Sequence, residues 1–220
     1  MSSLLSLRNI VVGYKDSAPV ASTIDAELSV GEFCCLLGRN GSGKSTLLRT
    51  VAGIQGALGG EMVRPERVAI VLTQTPELQH TTVREMVAYG RLGTTGWLGR
   101  LHDEDYMAAD KAIEMVGIRS LSGRLFHTLS DGERQKTMIA RAIAQEAPLL
   151  LLDEPSAFLD YPSRRELMRL LQELTHLHGK GVLLSTHDVE LAAEWADRLW
   201  IVKDGKMNCI KPEEWSTFEF

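Results

Sequence analysis

The chain has 220 residues, 44% hydrophobic and 24% charged, with a formal net charge of -5 and an isoelectric point near 5.7. That suits a globular domain with one substantial core, alone or with an inserted subdomain. The acidic balance excludes a global basic field that would recruit nucleic acid, and local pairs such as Arg164–Arg165 read as a solvated helix face.

The opening residues, MSSLLSLRNIVVGYKD, lack a positive segment followed by a sustained apolar run, so they do not read as a secretory signal. The longest apolar stretch, around Pro148–Leu152, is far short of the roughly 20 residues that span a bilayer. Any membrane role therefore has to come through a partner. Cys34, Cys35 and Cys209 fit neither a disulfide framework nor a zinc-ligand pattern. The first two lie inside an apolar run and read as packed thiols of a cytosolic protein.

In chain order, LLSLRNIVVGYKD and STIDAELSV read as strands joined by a turn around Ser17–Pro19. EFCCLL is a continuous apolar run that stops at a glycine-rich loop and is followed by the helical pattern KSTLLRTVAG. RVAIVLT is another buried strand. From about Pro76 to Ala147 the pattern turns helical, with TVREMVAYGRL, YMAADKAIEMVGI and LSDGERQKTMIARAIAQ. Strands return in PLLLLDEP, GVLLSTHD and RLWIVKDG, alternating with the helices SRRELMRLLQELTHLH and VELAAEWA. Short buried strands alternating with helices predict an α/β fold: a mostly parallel sheet flanked by helices, with an antiparallel N-terminal β subdomain. The predicted division is a core over 1–75 and 148–220, interrupted by a helical subdomain over 76–147.

The strand–loop–helix GRNGSGKST, Gly38 to Thr46, matches G-x-x-x-x-G-K-[ST], the loop of a P-loop NTPase. Its glycines let backbone N–H groups converge on an anion: Gly38, Asn40, Gly41, Ser42, Gly43 and Thr46 would line the phosphates. Lys44 would neutralise β/γ-phosphate oxygens, and Ser45 would give a hydroxyl to Mg²⁺. A second strand ends in Asp153 and Glu154, and parallel sheets place ligands at such ends. Asp153 suits the Mg²⁺ shell, and Glu154 is placed to polarise a water attacking the γ-phosphate. His187 ends a third strand, where it could donate to that phosphate.

Together these residues resemble the ATP-binding cassette (ABC) ATPases, and the resemblance covers nearly the whole chain. It implies that Tyr14 stacks on adenine, that Gln74 touches Mg²⁺ and moves with a membrane partner, and that Leu129–Glu133 (LSDGE) is the signature motif. It also implies that Asp160 closes the D-loop and that His187 is the switch histidine. Two copies would sandwich two ATP molecules head to tail, each copy's Ser130 and Gly132 meeting the other's phosphate loop, and closure would drive transmembrane permease subunits from the cytoplasmic face of the membrane. TTVREMVAYGRLGTTGWLGRLHDED, Thr81 to Asp105, is similar to the same stretch in importers of iron-siderophores, haem and cobalamin. An end at Phe220 is somewhat short for such ATPases.

The family usually has glycine at Asp131 and glutamine at Glu133. Ser130-x-x-Glu133 is a capping box, and acids in a helix's first turn gain about 0.3–1 kcal/mol from the dipole. An Asp131 carboxylate facing a phosphate would be costly: like charges about 4 Å apart repel by about 4 kcal/mol at an effective dielectric near 20. Asp131 is therefore expected to turn outward, towards a basic residue such as one on the opposite copy. The competing reading is a soluble ABC ATPase acting on DNA or the ribosome, which usually carries a long coiled-coil insertion or a second cassette. A P-loop kinase leaves Gln74, the signature and His187 unexplained, and Glu154 argues against a cassette that hydrolyses nothing.

Overall fold

The computed structural model describes residues 2–15, 18–74, 76, 78–93 and 100–217, in two compact units. The first unit takes the chain up to Ile70, Pro148–Glu154 and everything from Leu171 onward; the second holds Val71–Ala147 and Pro155–Leu170. The turn residue Ser17 and residues 94–99 of the importer-like stretch lie outside the described residues.

In chain order the strands are β1 (Ser3–Val12), β2 (Ala21–Ser29), β3 (Phe33–Gly38), β4 (Gly59–Val63), β5 (Val68–Val71), β6 (Leu149–Asp153), β7 (Gly181–Ser185), β8 (Arg198–Lys203) and β9 (Lys206–Ile210). The helices are α1 (Lys44–Ala52), α2 (Val83–Ala88), α3 (Asp103–Met115), α4 (Asp131–Ala144), α5 (Tyr161–His176) and α6 (Val189–Trp195).

β1 is the centre of an antiparallel sheet in the order β2-β1-β4. The six-stranded sheet runs β5-β6-β7-β3-β8-β9. Its central pairs β6·β7, β7·β3 and β3·β8 are parallel, and β9 returns antiparallel at the edge. β3, β6 and β7 are buried at every position, which is why they read as unbroken apolar runs rather than alternating ones. β1 and β2 instead alternate, turning Leu5, Leu7, Ile24 and Leu28 into a core shared with Leu36, Leu47, Leu151 and Trp200. The fold is thus the expected α/β cassette with its antiparallel N-terminal sheet.

Two strands were not legible in the sequence. β4 (GGEMV) is exposed or half-buried throughout, so it carries no apolar periodicity. β9 follows β8 through Asp204 and Gly205, both at positive φ, a two-residue hairpin turn after which only an edge strand is needed.

In the second unit, α2, α3 and α4 pack on one another. α2 is shorter than its apolar spacing predicts: after six residues the chain tightens into a 3-10 turn over Tyr89–Gly93. Gly90 explains the tightening. A Cβ there would run into the Arg141 carbonyl, so only glycine lets this turn reach α4. Each helix opens on a carboxylate that accepts the cap residue's N–H: Glu85 for Thr82 at 2.8 Å, Asp105 for His102 and Glu133 for Ser130 at 2.9 Å. Arg91 joins the helix ends by donating to Asp105 at 3.2 Å, Glu146 at 2.9 Å and the Ala144 carbonyl at 3.1 Å.

Candidate functional site

β3 delivers the chain into the loop Gly38–Gly43, and α1 begins at Lys44. Gly41 and Gly43 have φ of 80° and 98°, the left-handed region that a loop turning its N–H groups inward requires. A Cβ on Gly43 would come within 2.9 Å of Val20 Cγ1, so the position is closed to side chains sterically as well. Asn40 and Gly41 are exposed at the loop tip, while Thr46 is buried in the first helical turn.

Lys44 Nζ donates to the Gly38 carbonyl at 2.7 Å and to the Arg39 carbonyl at 3.1 Å, holding the ammonium against the loop. Burial lowers its pKa, and the carboxylates of Glu154 and Asp153 oppose that shift. A desolvated ammonium satisfied only by carbonyls gains from any anion that enters the loop. Ser42 Oγ is buried with no hydrogen-bond partner, an orphan that a phosphate oxygen would satisfy.

Ser45 Oγ donates to Asp153 Oδ1 at 3.0 Å, although the two residues are 108 apart in sequence. A hydroxyl and a carboxylate side by side, both oxygen donors, form the kind of pair that a hard divalent cation takes, so these residues fit Mg²⁺. Ser185 Oγ donates to the same Asp153 oxygen at 2.8 Å.

Glu154 sits one residue past β6 at φ 49°, a left-handed conformation that costs a non-glycine residue about 1–2 kcal/mol. Its N–H donates to Ser185 Oγ at 3.0 Å and to the Ser185 carbonyl at 3.2 Å. His187 stands exposed two residues past the end of β7, in a turn where Thr186 Oγ1 accepts the Asp188 N–H at 3.0 Å. Asp188 then caps α6. Tyr14 follows Gly13, whose carbonyl accepts from Gln55 Nε2 at 3.2 Å, and the residue is 52% exposed. The first unit therefore gathers Lys44, Ser45, Asp153 and Glu154 at the carboxyl ends of β3 and β6, with His187 just beyond β7 and Tyr14 just beyond β1.

The second unit carries the remaining predicted residues. Gln74 is exposed and lines a cavity of about 380 Å³ with Thr73, Asp131, Arg134, Gln135 and Phe158. Ser130 is exposed at the start of α4 and makes the expected capping box: its Oγ accepts the Glu133 N–H at 3.3 Å and donates to Glu133 Oε2 at 3.1 Å. Hydrogen bonding from Ser130, its backbone first, lowers the Glu133 pKa, and Arg124 adds to this at 3.2 Å. Gly132 packs so that an added Cβ would lie 3.3 Å from the Phe158 carbonyl. Asp131 is exposed and lies 3.6 Å from its own helix's Arg134. Asp160 caps α5 by accepting the Ser163 N–H at 3.1 Å. Among the described residues no cluster of His, Cys, Asp and Glu has metal-site geometry, and all three cysteines are free.

The residue missed in the sequence is Ser185. A serine near a strand end is common, and only the pairing of β7 with β6 places it opposite Asp153.

The family model described as ABC transporter matches residues 21–157. The chain is 36% identical over 197 residues to the petrobactin import ATP-binding protein of Bacillus anthracis, covering 84% of this chain and 72% of that one. It is 35% identical to the iron(3+)-hydroxamate import ATP-binding protein of Bacillus subtilis, over 91% of this chain and 79% of the other. An aliphatic sulfonates import ATP-binding protein of Paraburkholderia xenovorans is as similar, at 37% over 86% and 72%. Among solved structures, an inward-facing ABC transporter of proposed metal-chelate type superposes with a TM-score of 0.89 at 27% identity, covering 97% of this chain and 85% of that one. A dimeric post-hydrolysis cassette bound to ADP and Pi superposes at 0.85 and 25% identity, covering 95% and 99%. No helix among the described residues is long and apolar enough to cross a membrane.

Proposed function

The chain belongs to the ABC transporter family as an ATP-hydrolysing cassette, and on that premise we propose that it powers a membrane importer for an iron-siderophore type of chelate, within the group that also takes haem and cobalamin. The observation that carries the hydrolytic reading is Ser45 Oγ lying 3.0 Å from Asp153 Oδ1, beside an ammonium held by loop carbonyls. The iron-siderophore reading draws on the names of the relatives from Bacillus anthracis and Bacillus subtilis.

Tyr14 stacks on the adenine. The N–H groups of Gly38, Asn40, Gly41, Ser42, Gly43 and Thr46 converge on the phosphates, and Lys44 exchanges its loop carbonyls for β- and γ-phosphate oxygens. Ser45 and Asp153 would hold Mg²⁺, which would supply charge neutralisation on the phosphate oxygens. Glu154 orients and polarises the attacking water, and His187 donates to the γ-phosphate. A second copy of the chain completes each pocket with Ser130 and Gly132, and Asp160 faces its counterpart. Exposure of Ser130 keeps its hydroxyl reachable. Permease subunits anchor the pair peripherally at the cytoplasmic face.

A second reading of the cargo, an organic sulfonate, is favoured by the relative from Paraburkholderia xenovorans. Reconstitution with its permease in liposomes separates the two: ATP-dependent uptake of a ferric siderophore supports the first, and uptake of a sulfonate alone overturns it. For the chemistry, Glu154→Gln is expected to lower turnover about 10²–10⁴-fold while trapping an ATP-bound dimer on size exclusion. A monomer at saturating ATP would overturn the sandwich.

A further inference from the structure

We infer that Ser185 is a positioning residue for hydrolysis, the single side chain that sets both the Asp153 carboxylate and the backbone of Glu154. The inference rests on the reading of Asp153 and Glu154 just given. Ser185 is fully buried, and its hydroxyl uses both its roles on neighbouring residues of the site. It donates its proton to Asp153 Oδ1 at 2.8 Å and accepts the Glu154 N–H at 3.0 Å.

Both bonds are made where regular structure stops. Asp153 is the last residue of β6 and pairs with Ser185, the last residue of β7. One residue on, Glu154 leaves the extended region for φ 49°, so strand pairing no longer fixes its direction. A strained backbone persists only where its surroundings over-determine it. Here the determinant is a shared N–H, bonded to the Ser185 hydroxyl at 3.0 Å and to the Ser185 carbonyl at 3.2 Å. That backbone sets the direction of the Glu154 Cα–Cβ bond.

The other hydroxyl on Asp153 Oδ1 belongs to Ser45, at 3.0 Å. Ser185 donates to that same oxygen independently of Ser45, at 2.8 Å. The chain then continues from Ser185 directly into the turn that carries His187, pinned by the Thr186 N–H on the Leu36 carbonyl at 3.1 Å. Asp153 and Glu154 thus share one anchor, and His187 follows it two residues along the chain.

The test is steady-state ATP hydrolysis by the full chain carrying Ser185→Ala, with Glu154→Gln alongside. The expected result is a fall of about 10-fold or more in kcat, as for a buried charge-assisted hydrogen bond lost, with KM for ATP within about twofold. In the Glu154→Gln background, Ser185→Ala is expected to add little further loss and to leave the ATP-bound dimer on size exclusion intact. Unchanged kcat, or a loss confined to KM, overturns the inference. If Ser185→Ala loses its native melting transition, Ser185→Thr decides: turnover near wild type supports the hydroxyl's role, and a folded variant at the alanine level overturns it. Full turnover in Glu154→Gln would overturn the site reading itself, whereas loss there with wild-type kcat in Ser185→Ala overturns this inference alone.

Discussion

The two units hold their candidate residues in opposite ways. In the first, Lys44, Asp153 and Ser185 are buried and bonded to one another or to the loop, and Glu154 is locked in a left-handed backbone. In the second, Gln74, Ser130 and Asp160 are exposed, and Ser130 and Asp160 are fixed by the cap of the helix they begin. Chemistry that moves a phosphoryl group needs groups placed before the substrate arrives, because reorganising dipoles during the reaction adds to the barrier. A surface that meets another molecule needs reachable donors and local rigidity instead. The first unit holds its candidate residues buried and bonded, and the second presents its own at the surface.

The sharpest way to break this contrast is Lys44→Ala. The variant should fold normally yet bind ATP about 10- to 150-fold more weakly, the loss of one charge-assisted contact of about 1.5–3 kcal/mol. Calorimetric titration measures it, and undiminished affinity would remove the phosphate role of the loop. Gly90→Ala tests the other unit. Its Cβ meets the Arg141 carbonyl, so the variant should lose about 1–3 kcal/mol of stability by thermal melting while the phosphate loop keeps its affinity for ATP.

The smallest effect concerns Glu133. The Ser130 N–H holds its carboxyl below the ordinary range, so its stabilisation is complete above about pH 4.3 and is lost as pH falls through the lowered folded value. Glu133→Gln should flatten this part of the acid-unfolding profile and cost about 0.3–1 kcal/mol at neutral pH, with the native helical signal retained. An unchanged acid profile would mean that the Glu133 charge contributes nothing.

Much of the fold could be read because burial on both faces writes itself as unbroken apolar runs, as in FCCLLG and LLLLD. β4 and β9 escaped because edge strands bury too little to carry a pattern. The end of α2 escaped because it depends on where the Arg141 carbonyl lies, not on local propensity. At the site, the phosphate loop, the Asp153–Glu154 pair and the Ser130–Glu133 cap were legible as spacings within a few residues. Ser185 and the partner of Asp131 were not.

By itself the sequence determined the family, the order of the elements and the residue types that can meet a nucleotide, since each is a matter of local spacing and composition. Tertiary structure alone decided that Ser45, Asp153 and Ser185 share one carboxylate oxygen and that Glu154 is held in a strained backbone. Those contacts join segments 32 and 108 residues apart, and hydrogen-bond geometry between such segments is set by strand register, which local spacing does not encode.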